Sequence, residues 1–267
     1  MKLKKSSKGR KSGGKKMNIL DLNSNQKETI LLIHPMLSSA QGMKSLIADQ
    51  MGQEFRYIIP DLSAHGQSAS TIYESALKES QMIYEYLKDH HIKDLRLAFG
   101  ASLGGVVLLK LLKYKDIGFG KVVFEGVSLW TKSALLDVFT RYLLLKKHRK
   151  AIRNRDLAVR KMVSLYGEKG VMMADSFIAM DEESIKHISH DCAFVDLPNL
   201  TPEKQKSCVF FYGSKEFDLI AAQKVLPQKY PQAKFHIWQG YGHCRKITEN
   251  PRAYSKILRN EILSSNC

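Results

Sequence analysis

Short apolar runs alternate with longer segments in which apolar residues recur every three or four positions, and this alternation repeats along most of the chain. Runs rich in β-branched and aromatic residues fall at 29–33, 57–60, 95–99, 122–125, 208–212 and 235–238, with the length and composition of strands. Segments 42–51, 72–90, 106–114, 220–229 and 251–263 have the length and apolar spacing of helices laid over a sheet. The order predicts a mostly parallel α/β sheet with helices on both faces. One interval breaks the rhythm. Residues 127–207 separate the fourth strand-like run from the fifth, far beyond the roughly two to six residues of an ordinary connection. The interval must fold on its own, and it reads as helices at 133–150, 155–167 and 181–195, with Asp181 as an N-cap and Leu197-Pro198 marking the exit.

Composition supports a large buried core, with 44% hydrophobic residues among 267. The net charge of +16 points first to nucleic acid or an acidic membrane, but the excess is unevenly placed. Residues 1–16 hold eight Lys or Arg, no acid and a single large apolar residue after Met1, Leu3. They predict a disordered basic tail, with Met17 a candidate start and a nucleic-acid-binding arm the weaker reading. No stretch has the apolar length of a secretory signal or a membrane span, so the expectation is a cytoplasmic chain without a membrane span and without a specific nucleic-acid partner. Cys192, Cys208, Cys244 and Cys267 lack C-x-x-C spacing, which argues for reduced thiols rather than a zinc site or a disulfide framework.

Candidate chemistry concentrates at residues 95–114, LRLAFGASLGGVVLLKLLKY. Gly100-Ala101-Ser102-Leu103-Gly104 is a G-x-S-x-G pentapeptide between an apolar strand and an apolar helix, the setting of a nucleophile elbow. Such a turn holds the serine in a strained conformation with its hydroxyl exposed, and side chains at Gly100 and Gly104 would collide with neighbouring backbone. A serine hydroxyl needs a base to take its proton and a third group to orient that base. Of nine histidines, His243 follows the last strand-like run on the glycine-containing loop Gln239-Gly240-Tyr241-Gly242, which puts it at the carboxyl edge of the sheet. The acid is expected after the preceding strand, where Glu216 and Asp218 are both available. Glu216 is preferred for its register in a Gly-x-x-acid turn, with Asp218 the alternative.

The order Ser102, then Glu216 or Asp218, then His243 resembles the α/β-hydrolase superfamily, over nearly the whole chain from Met17. Leu32-Ile33-His34-Pro35-Met36 resembles its oxyanion loop, and Pro60-Asp61-Leu62-Ser63-Ala64-His65-Gly66-Gln67-Ser68 resembles its D-x-x-G-H-G-x-S segment. Pro35 and Ala64 stand where glycines are usual, and Glu stands where Asp is commoner. The resemblance implies a sheet with a helical cap inserted after the sixth strand, a core of 17–127 and 201–267, and a cap of 128–200. It implies backbone N–H groups of Met36 and Leu103 as the oxyanion hole, loop-fixing rather than proton-transferring roles for His34 and His65, and no dissociable cofactor or metal.

The implied activity is hydrolysis of a small or medium carboxylic ester, or a related thioester, lactone or carbon–carbon substrate, through an acyl-enzyme. The partner is then a small-molecule acyl substrate, with the oligomeric state left open. The alternative is a non-catalytic ligand receptor or interaction module on the same fold. Within the implied cap, residues 141–161 carry nine Lys or Arg against one acid, Asp156. That is either a solvated basic face or an attraction for an anionic substrate, partner or membrane surface. Met172, Met173 and Met180 are candidates for an adaptable acyl pocket or for core gap-filling.

Overall fold

Seven strands, Ile19–Leu22 (β1), Thr29–Ile33 (β2), Arg56–Pro60 (β3), Asp94–Ala101 (β4), Gly118–Glu125 (β5), Cys208–Gly213 (β6) and Lys234–Trp238 (β7), form one sheet in the order β1-β3-β2-β4-β5-β6-β7. Only β1 runs antiparallel, against β3; every other pairing is parallel. The computed structural model describes residues 17–263; the basic stretch 1–16 and residues 264–267, with Cys267, lie outside the described part.

Burial on both faces explains why the parallel strands read as unbroken apolar runs. In β2, Leu31 and Ile33 enter one core cluster and Ile30 and Leu32 the other; in β6, Phe210 and Tyr212 oppose Val209 and Phe211 in the same way. Helices α1 (Ala40–Met43) and α2 (Asp49–Met51) are joined by the π-helical turn Lys44–Ala48, and are followed by α3 (Ala76–Asp89) and α4 (Leu103–Leu111). The interval between β5 and β6 holds α5 (Ala134–Arg153), α6 (Arg155–Tyr166), α7 (Lys169–Ala179), α8 (Glu182–Ala193) and the short α9 (Pro202–Lys206). The chain closes with α10 (Asp218–Lys229), α11 (Arg245–Glu249) and α12 (Pro251–Leu263). Helices α3, α4 and α10 cover one face, while α1, α2, α11 and α12 cover the other. No helix among the described residues is long and apolar enough to cross a membrane.

Four elements, β1, α7, α9 and α11, escape the periodicity reading. β1 is only four half-buried residues, held by register against β3 and by Arg56, whose guanidinium donates to both oxygens of Asp21. Helix α7 lies between two of the helices read in the insertion, and α9 and α11 span only five residues each. The third helix begins at Ala76, not near residue 72, because Ser75 caps it by accepting from the Lys78 N–H at 3.2 Å.

The helical insertion follows β5 when strands are counted along this chain. Its side chains tie it to the core. Tyr73 donates to Asp191 Oδ2 at 2.8 Å, and the Ala76 N–H donates to the same oxygen. Ser128 donates to the Cys192 carbonyl. Asp181 caps α8 as its position suggested, accepting from the Ser184 N–H at 2.7 Å, an interaction of about 1 kcal/mol. His190 lies 3.4 Å from Asp137, a pairing that spacing in the sequence did not signal.

Candidate active site

Because β2, β4, β5, β6 and β7 run in one direction, their carboxyl ends share an edge of the sheet, where α/β folds gather their functional loops. Ser102 sits there between β4 and α4, with φ 49° and ψ −115°. A side chain at Gly100 would come within 2.6 Å of the Gly104 carbonyl oxygen, and one at Gly104 within 2.3 Å of the Ile33 carbonyl oxygen. The tight packing is therefore steric and local, and the strained serine is held by the Ser102 N–H donating to the Glu125 carbonyl at 2.8 Å.

Three side chains from separate loops converge at this edge. His243 Nε2 lies 2.8 Å from Ser102 Oγ, and His243 Nδ1 lies 2.6 Å from Glu216 Oε2. A carboxylate only accepts, so Nδ1 carries the proton and Nε2 is left to accept from the serine hydroxyl. Glu216 is buried, and its other oxygen accepts from the Gly213 N–H. Asp218, the alternative acid, opens α10 and stands 3.9 Å from His243 Nδ1. Burial pulls the His243 pKa down, but the adjoining Cys244 sulfur and Glu216 outweigh it, so the ring lies well above the ordinary histidine value. Burial also pushes the Cys244 thiol up.

The loop after β2 provides the facing wall. Leu37, φ 67°, takes the left-handed conformation in the loop where Pro35 replaces the expected glycine, and Ala64 takes it at φ 66° in the second loop. Neither the Met36 nor the Leu103 N–H donates a hydrogen bond among the described residues, and both residues line a small cavity together with Ser102. His34 donates from Nδ1 to the Pro35 carbonyl at 2.8 Å and accepts at Nε2 from the Leu62 N–H at 3.0 Å. His65 Nδ1 donates to the Ser63 carbonyl at 2.8 Å. Burial lowers His34 to about 4 and His65 to about 3, so both rings are neutral and engaged with loop backbone. Asp61 ties the same loops by accepting from the Ala40 and Gln67 N–H groups at 2.7 and 3.0 Å.

Two residues at the site were not singled out from the sequence. Gly126, φ 58°, has no room for a side chain: a Cβ there would lie 2.9 Å from Glu216 Oε2 and 3.0 Å from the His243 ring. Glu125 ends β5 with 1% of its surface exposed, and its Oε2 accepts from Tyr254 at 2.8 Å and from Trp238 Nε1 at 3.3 Å. Burial, aided by the nearby Glu216 charge, pushes its pKa up to about 8.

Glu125 predicts a pH-dependent stability. The folded chain keeps this proton up to about pH 8, whereas an unfolded glutamate releases it near 4.5. Folding thus takes up a proton between those values, and stability falls as pH rises across them. Glu79, pushed by burial to about 7, and His243, held above the ordinary histidine value, act in the same sense, so the Glu125 share is isolated by comparing the parent with a variant that cannot titrate at that position. Urea unfolding of Glu125→Gln is expected to show a shallower loss of stability across that range than the parent; equal slopes would show that Glu125 is already ionised in the fold.

The fold is the α/β-hydrolase fold. No family model matches the chain, and no curated protein matches it in sequence. Among solved structures, it is similar to a carboxylesterase of Nitrososphaera gargenis, at 16% identity and TM-score 0.71, covering 94% of this chain and 95% of the other. It is also similar to a thermophilic esterase from Thermogutta terrifontis, at 14% identity and TM-score 0.70, covering 94% of both chains. MenH from S. aureus aligns at 15% identity and TM-score 0.68, covering 94% of this chain and 99% of its own. At such identities the likeness speaks for the fold.

Proposed function

We propose that Ser102, His243 and Glu216 are the nucleophile, base and acid of a serine hydrolase acting on a small or medium carboxylic ester, or a related thioester, lactone or carbon–carbon substrate. The observation that carries this reading is the continuous relay from Ser102 Oγ to His243 Nε2 at 2.8 Å and from His243 Nδ1 to Glu216 at 2.6 Å. In this reading Ser102 Oγ attacks the carbonyl carbon as His243 Nε2 takes its proton, and the carbonyl pair moves onto oxygen. The Met36 and Leu103 N–H groups meet that negative charge. As the carbonyl re-forms, the bond to the leaving group breaks, its electron pair goes to the leaving atom, and His243 returns the proton there. Water then repeats the cycle, yielding the acid and restoring Ser102. No step needs a dissociable cofactor.

Residues 128–200 act in this reading as a cap over a core of 17–127 and 201–267. Met162, Met172 and Met173 support that role, since they line the cavity that contains Ser102 and His243. Met180 instead is buried in the core, as a gap-filler.

A fluorophosphonate probe tests the proposal. It is expected to label the folded protein at Ser102 and to leave Ser102→Ala unlabelled; an unlabelled parent would favour a non-catalytic receptor. The raised His243 pKa adds a prediction on pH. The base works only when neutral, so kcat/KM is expected to climb with pH along a limb displaced above the ordinary histidine range. A pH–rate profile already flat below about pH 6 would contradict the pairing with Glu216.

A further inference from the structure

Two cavities meet at Ser102, and they differ in chemistry. The larger, about 410 Å³, is lined by His243 from the core and by Lys147, Lys169, Met172 and Met173 from the helical insertion. The smaller, about 160 Å³, is walled mostly by apolar groups, among them Leu136, Leu144 and Ile188, with Ser128, Thr140, Ser189 and Asp218 also in its lining. A further space of about 210 Å³ between α5, α6 and α7 shares Lys147 and Met162 with the larger cavity and adds Lys150 and Lys161. No carboxylate lines the larger cavity or this extension. Among the described residues, neither Lys147 nor Lys169 forms an ion pair. The cations therefore face the cavity without a fixed counter-charge and make its potential positive.

His243 lines the larger cavity and not the smaller. That difference orients a substrate. When the acyl bond breaks, the leaving oxygen or sulfur keeps the electron pair and takes its proton from His243 Nε2, so the leaving group must lie on the histidine side. The acyl chain then falls to the smaller, mostly apolar cavity, whose size suits only a short chain.

We infer that the site accepts a short apolar acyl group joined, as an ester or thioester, to an anionic alcohol or thiol, with Lys147 and Lys169 meeting the phosphate or carboxylate of the leaving group. This inference rests on the serine-hydrolase reading above. The bond that breaks joins the acyl carbon to the leaving oxygen or sulfur, and water supplies the hydroxyl of the released acid.

Three butyryl thioesters test it: those of N-acetylcysteamine, which is neutral, of 4′-phosphopantetheine, and of 3-mercaptopropionate. At low ionic strength, kcat/KM for at least one anionic thioester is expected to exceed that of the neutral one by about fivefold or more, the scale of two partly exposed charge pairs. The arm that shows the gain tells phosphate from carboxylate. The ratio should fall toward one with added salt and in Lys147→Gln/Lys169→Gln, and should persist in Lys147→Arg/Lys169→Arg. A ratio of one in the parent, with the neutral thioester turned over, overturns the anion subsite and leaves the hydrolase standing. A ratio unchanged in the double glutamine variant overturns the assignment to these lysines. Absence of both turnover and fluorophosphonate labelling in the parent overturns both readings together.

Discussion

Replacing Ser102 by alanine is expected to lower kcat for p-nitrophenyl butyrate by about 10⁴–10⁶-fold, with His243→Ala losing a similar factor. The size follows from the geometry. Ser102 Oγ and His243 Nε2 are 2.8 Å apart, so the hydroxyl loses its proton only through that ring, and either deletion removes the whole route for nucleophilic attack. The double variant should therefore be no slower than the worse single variant, because the two side chains act as one unit. Losses that add would show that the two residues act separately. Stability should change little in Ser102→Ala, since alanine has the same backbone to place at φ 49° and only a hydroxyl is removed; a melting curve close to the parent's separates lost chemistry from lost fold.

Glu216→Gln is expected to lower kcat by about 10²–10⁴-fold, a loss of the size found when a buried orienting carboxylate becomes an amide, whereas Asp218→Asn should cost less than about tenfold. Glu216 is buried against the ring at 2.6 Å, while Asp218 stands at 3.9 Å and is partly exposed. The glutamine keeps the shape but removes the charge that favours protonated His243. The ring's pKa should then fall, and the rising limb of the pH–rate profile should move to lower pH even as its plateau drops. A structural role alone would lower the plateau without moving the limb. If Asp218→Asn proves the more damaging change, the acid is Asp218 and the turn after β6 rearranges in the working enzyme.

The strands β2 and β6 were legible because parallel strands covered on both faces need apolar residues at every position, and Thr29–Ile33 and Cys208–Gly213 are buried throughout. The elbow was legible for a different reason: its strain and its glycines are satisfied within a few residues, so a pentapeptide carries the whole constraint. β1 was not legible, since four half-buried residues hold their place through pairing with β3 rather than through their own pattern. Gly126 and Glu125 escaped notice because what matters at each is a neighbour distant in sequence, His243 and Glu216 at one and Trp238 and Tyr254 at the other.

Local spacing and sterics thus determined the strand–helix alternation, the strained serine and the chain order of the candidate groups. The choice between two carboxylates was a tertiary matter. Glu216 and Asp218 differ by two positions, but Glu216 turns back so that its carboxylate accepts from the Gly213 N–H beneath His243, while Asp218 starts the next helix. Which of the many lysines face the cavity was likewise decided only when α5 and α7 packed over the sheet edge, because a helix surface shows its charges in sequence but its direction only in contact.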